Sequence, residues 1–134
     1  MDLTTPSETI GHKLILIYCF ESSKNIEVEI ETAVILNAIR VNTDSEWFYQ
    51  FHVEYGKATL LDRFSLEFFR KKYIKFPIDD FKNGCVCYNN FVSILYDPTP
   101  EKIEKAKLKM ISSLISSNNF SIRQDIPQWT NQLY

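Results

Sequence analysis

The side chains best suited to metal or redox chemistry in this sequence are Cys19, Cys85, Cys87, His12 and His52. A closed zinc site takes four such ligands in a tetrahedron, usually from pairs spaced by two to four residues so that one turn aims both at the ion. Cys85-Val86-Cys87 lacks that spacing, and nothing in the sequence gathers Cys19 and a histidine around it. A disulfide within the pair meets a geometric bar. Residues two apart in a strand stand roughly 6.6 Å apart at Cα, near the upper limit for a disulfide, and their side-chain vectors do not converge. The Cys-x-x-Cys spacing that activates a thiol at a helix start is missing too. Free cysteine is among the most often buried residue types, so both thiols are expected inside. Asn89-Asn90 tolerates the left-handed conformation and suits a two-residue hairpin turn, which pairs Tyr88 with Phe91, Cys87 with Val92 and Cys85 with Ile94. In that register both thiols share an apolar face, where burial raises their pKa and leaves them inert.

Other constellations are weaker still. His52-Val53-Glu54 matches the His-x-Glu half of a zinc deaminase signature, but the Pro-Cys-x-x-Cys half is missing. Asp79-Asp80 and Asp44/Glu46 are carboxylate neighbours in expected loops, whereas acid–base work needs two carboxyls held apart across a pocket. No phosphate-binding loop, dinucleotide fingerprint or nucleophile elbow occurs, and three glycines leave little material for one. No catalytic residue, metal or cofactor is therefore assigned. A metal-dependent enzyme built on His52, Glu54 and the cysteines ranks last among the functional readings.

RKKYIK (70–75) interleaves basic and aromatic side chains, as a surface for single-stranded nucleic acid does. Against it stand a formal charge of −2 and a pI near 5.7, which supply no long-range field for phosphates or an anionic bilayer. A nucleic-acid-binding accessory protein using Arg70 to Lys75 is accordingly the alternative reading. The leading expectation is a small non-enzymatic protein that binds another protein. Its concrete form is a neutralising, immunity-type inhibitor of a basic toxin or nuclease domain, drawn by complementary charge. The acidic rows Glu27, Glu29, Glu31 and Asp44, Glu46 form its expected contact edge, joined by Gln50, His52 and Glu54 on a strand face and by Trp129 and Tyr134 in the tail. Ten Phe, seven Tyr and two Trp exceed what one small core obviously needs, and Trp and Tyr are enriched at interface hot spots.

These side chains need elements to hold them. With 134 residues, 45% hydrophobic and 24% charged, the chain suits one domain over 1–134. Residues 1–11 are expected loose and 120–134 an irregular tail. The longest apolar run, LILIYCF (14–20), is too short to cross a bilayer and reads as a strand covered on both faces. With no secretory signal visible and an odd cysteine count, the expected location is a reducing one, the cytoplasm. IEVEIE (26–31) alternates, which puts Ile26, Val28 and Ile30 inside and three glutamates outside. TAVILNAIRV (32–41) fits neither period and is taken as continued strand with a bulge near Thr32. EWFYQFHVEY (46–55) is a strand, Gly56-Lys57 a turn and 58–61 a short return strand. Helices are expected at about 65–74 and 100–116. The second carries Thr99 as N-cap, Pro100 at its first position and an apolar stripe of Ile103, Ala106, Met110 and Leu114. The resulting fold class is α+β: a largely antiparallel sheet of five to seven strands with two helices packed on one face.

Overall fold

The structure is a computed structural model that describes residues 5–22, 25–56, 72–88 and 91–116. Six strands form one sheet in the order β4-β3-β2-β1-β6-β5, every neighbouring pair antiparallel. They are β1 Lys13–Ser22, β2 Asn25–Thr43, β3 Glu46–Tyr55, β4 Tyr73–Pro77, β5 Cys85–Cys87 and β6 Val92–Tyr96. A one-turn helix, α1 (Ile78–Phe81), follows β4, and α2 (Pro100–Ser116) closes the described chain. The largely antiparallel α+β architecture expected from the sequence is thus present.

The long β2–β3 hairpin is the spine. Asp44 and Ser45, at φ of 51° and 66°, connect Thr43 to the facing Glu46, so both central residues take the left-handed geometry that matches strand twist. TAVILNAIRV lies wholly within β2, and its irregularity is a register shift between Ile35 and Asn37 rather than a bend at Thr32. There Leu36 is the extra residue, exposed, while Ile35 and Ala38 both face inward.

Alternation gives the sheet two faces. Leu14, Leu16, Tyr18 and Phe20 of β1 share the inner face with Ala33, Ile35, Tyr49, Phe51, Val53, Ile74, Phe76, Val92 and Ile94, and α1 adds Ile78 and Phe81. Phe81 stands edge-on to Tyr49 at 4.8 Å and to Phe76 at 5.6 Å, and also meets Tyr96 at 4.6 Å. It therefore joins the β3–β4 end of the sheet to the β6–β5 end. The Tyr88 hydroxyl, just past β5, donates to the Lys75 carbonyl on β4. A flat sheet would hold these edges far apart, so the sheet curls strongly around the aromatic core, which shields its edge strands. Pro77 is tolerated because β4 is such an edge.

The outer face carries Ile15, Ile17, Cys19 and Leu95 under Met110 and Leu114 of α2. Thr99 caps this helix as expected, its Oγ1 accepting the Lys102 N–H at 3.3 Å. The described helices consequently pack on opposite faces, α1 inside the curl and α2 outside.

Several expectations are corrected. Ile26, Val28 and Ile30 face α2, so the alternating glutamates point into the curl: Glu29, paired with Tyr18, and Glu31, paired with Leu16, are only 4% and 3% exposed. Residues 5–12 are not loose. A single 3-10 turn (Pro6–Thr9) buries Thr9, and Gly11 and His12 extend the ladder to Ile35 through bonds of 2.8 and 2.9 Å. Asp79 and Asp80, expected in a loop, lie in α1, and Tyr73 and Ile74, expected to end a helix, open β4. The rest of that helix at 65–71, the return strand at 58–61, Asn89-Asn90, and the tail with Trp129 and Tyr134 lie outside the described residues.

The β5–β6 register differs by one residue from expectation. Cys85 pairs with Leu95, Val86 with Ile94 and Cys87 with Ser93, with the Tyr88 N–H bonded to the Val92 carbonyl. Tyr88 thus stands opposite Val92 rather than Phe91. A one-residue slip turns every side chain over. Val86 enters the inner core, and both thiols lie on the outer face toward α2.

Candidate functional site

Two surfaces of the outer face stand out, one chemical and one made for contact. The first lies where β5 forms the edge of the sheet. Gly84, at φ 75°, turns the chain from α1 into this strand, a conformation that glycine adopts without strain. Between β5, β6 and α2 opens a cleft of about 420 Å³, lined by Cys85, Cys87 and Ser93 on the sheet and by Lys102, Lys105 and Lys109 on the helix, with Leu95, Ala106 and Met110 as an apolar floor. The lysines recur at helical spacing along one flank of α2.

Cys87 is exposed, and its sulfur accepts the Ser93 hydroxyl at 3.4 Å. The neighbouring Cys85 thiol is the main cause that pulls the Cys87 pKa below the usual thiol range, with Ser93 and Lys109 helping and burial opposing. The same neighbour, with burial, raises Cys85. Cys19, buried under α2, is pushed by burial up to about 11 and is the inert thiol of the three.

The second surface is the half of the outer face that α2 leaves uncovered. Here Ile39, Val41, Phe48, Gln50, His52 and Glu54 of the hairpin adjoin Tyr73 and Lys75 of β4, the pairs being Ile39↔Gln50, Val41↔Phe48, Gln50↔Lys75 and His52↔Tyr73. His52 stacks on Tyr73 at 5.0 Å. Ile39 is 48% and Tyr73 50% exposed, large values for side chains of their size, and Leu36 at the bulge is exposed as well. At the hairpin tip Arg40 lies over the Trp47 ring at 4.8 Å, on the opposite face.

No protein-family model matches the chain, and no curated protein and no solved structure is similar to it. What the chain does must therefore be argued from its own surfaces.

The expected contact residues fall into separate groups. Gln50, His52, Glu54 and Glu46 share the outer side of β3, with Asp44 at the adjoining turn, so these five lie along one side of the hairpin. Glu27, Glu29 and Glu31 lie on the inner face, opposite Phe20, Tyr18 and Leu16. The acidic rows are thus not one edge. Glu29 and Glu31 have interaction partners, as buried carboxylates require, and no protein docking on the outside reaches them. His52 and Glu54 belong to the open face, away from the cysteines, and no group of three or more His, Cys, Asp or Glu among the described residues could hold a metal ion. Of the basic run at 70–75, Lys72 and Lys75 are described and exposed. No helix among the described residues is long and apolar enough to cross a membrane.

Sequence reasoning missed the thiol cleft. Its signal was present as Lys102, Lys105 and Lys109 along one side of a helix whose apolar stripe must face the cysteine strand. What concealed it was the one-residue shift of the β5–β6 register, which decides where the thiols point.

Proposed function

We propose that the protein is a non-enzymatic binding protein that docks another protein on the open half of its outer sheet face. The observation that carries this reading is the incomplete cover. α2 seals the β1–β6 half, yet among the described residues no helix lies over Ile39, Phe48, His52 and Tyr73. Side chains of this size and mixed character form the centre of protein interfaces, where burial supplies affinity and a polar rim supplies orientation. Asp44, Glu46 and Glu54 flank the patch. They support a basic partner, and the neutralising, immunity-type role toward a basic toxin or nuclease domain is the concrete form of this proposal.

The test is capture from the protein's own cells with the wild type and with the double variant I39E/Y73E, after circular dichroism shows both folded. A stoichiometric basic protein should be held by the wild type and lost by the variant. Reversing Asp44, Glu46 and Glu54 to lysine should slow its association and flatten the salt dependence. Equal capture by I39E/Y73E, or a partner indifferent to the charge reversal, overturns the reading.

A further inference from the structure

We propose that the cleft between β5 and α2 is a thiol-exchange site, in which Cys87 attacks a small disulfide bearing carboxylates and retains one half of it beneath Lys102, Lys105 and Lys109. The cavity, the nucleophile and the cationic collar occur together on one side of the sheet. The site is separate from the open face and stands whether or not a protein docks there.

The chemistry follows from the geometry. The Cys87 thiolate forms a bond to one sulfur of R–S–S–R, the existing S–S bond breaks, and R–S⁻ leaves and takes a proton from water. The small disulfide is the oxidant, and the products are one mixed disulfide and one small thiol. Ser93, 1% exposed and fixed in β6, donates its hydroxyl to the attacking sulfur at 3.4 Å. The second step of a dithiol enzyme is hindered here. Cys85 would have to close a bond to a residue two positions on in the same strand, at a Cα separation of roughly 6.6 Å with side chains directed in parallel. The adduct therefore persists, and the site behaves as a stable acceptor of one small thiol. The three lysines select for anionic groups on that thiol, and Leu95, Ala106 and Met110 accommodate its aliphatic part.

A magnitude decides how the site must be tested. At neutral pH the larger thiolate fraction of a low-pKa thiol is largely offset by its lower intrinsic nucleophilicity, since the Brønsted coefficient is about 0.4–0.5. The difference appears in mild acid. Between pH 8 and pH 6 an ordinary thiol of pKa about 8.5 loses roughly 70-fold of its thiolate, while a strongly depressed one loses little. The charged and polar groups facing Cys87 are Lys102, Lys105 and Lys109 from α2, Ser93 from β6, Asp80 from α1 and Cys85 from its own strand.

The full chain is incubated with oxidised glutathione or with cystamine at pH 6 and pH 8, and adducts are located by peptide mass spectrometry against the same chain unfolded in urea. The expected result is a single glutathione adduct on Cys87, whose rate falls less than about threefold between pH 8 and pH 6. Relative to the unfolded chain, glutathione disulfide should be favoured over cystamine by about tenfold, and K102E/K105E/K109E should abolish that preference while leaving Cys87 in place. C85A should move the pH profile upward, and C85S, which keeps an O–H donor, should move it less. Adducts shared with Cys85, a rate falling with pH as in the unfolded chain, equal preference for cystamine, or a Cys85–Cys87 disulfide in place of the adduct would each overturn the proposal.

Discussion

The two halves of the outer sheet face arise from one ladder of hydrogen bonds, yet one is sealed and the other open. On the sealed half, opposed pairs are aliphatic: Ile17 faces Ile30 and Cys19 faces Val28, with Ile15 beside Leu95. On the open half, the equivalent pairs are Asn37 with His52, Ile39 with Gln50 and Gln50 with Lys75. A helix with one apolar stripe docks where the strands beneath it are apolar on both faces, and β1 is the strand that meets this condition. The lesson is that α2 sorts the outer face into a half that supplies stability and a half that supplies surface. The thiol cleft lies at the margin of the first, where the helix's lysines rather than its stripe meet β5.

Substitutions can break this comparison in graded steps. The largest effect is expected inside the curl, on which both halves depend. Phe81→Ala removes a ring in contact with Tyr49, Phe51, Phe76 and Tyr96. Urea denaturation should show a loss of about 3–5 kcal/mol, typical of a buried phenylalanine truncated to a cavity. Leu114→Ala, next in size, strikes the sealed half alone. The side chain is buried against β1, and its truncation should cost roughly 2–5 kcal/mol while leaving the hairpin's amide exchange little changed. A smaller step is Thr99→Ala, which deletes the acceptor for the Lys102 N–H and should cost about 1 kcal/mol by the same measurement.

The sequence was legible where pattern and partner agree. The α2 helix announces itself through Thr99-Pro100 and its stripe, and β3 through a period of two that the structure keeps from Trp47 to Tyr55. The glutamates of β2 show why the rest was not. Alternation says that two faces differ, and it does not say which one points inward when both faces of the sheet are covered. Glu29 and Glu31 were assigned to solvent by polarity alone, whereas the position of α2 over Ile26, Val28 and Ile30 decides the matter. β4 misleads differently. Tyr73 follows Leu66 and Phe69 at helical spacing in sequence, but pairing of Tyr73 and Ile74 with His52 and Phe51 of β3 prevails over local preference. At the candidate site, the regular β3 places Gln50, His52 and Glu54 on one face, and Cys87 is lost to a one-residue shift of the β5–β6 register.

Ile39→Glu is the mildest change to the fold and the sharpest test of the open half. On the sealed half, a carboxylate at Ile17 would be driven into an apolar layer and would unfold the protein. At Ile39 the side chain is already half in water, its cross-strand neighbour is Gln50, and no helix among the described residues overlies it. Stability in urea should therefore change by no more than about 0.5 kcal/mol. A loss several times larger would mean that Ile39 is structurally covered, and the two halves would then differ only in degree. A near-zero change in stability, accompanied by loss of the captured partner, would show that this half of the face is kept apolar for contact rather than for folding.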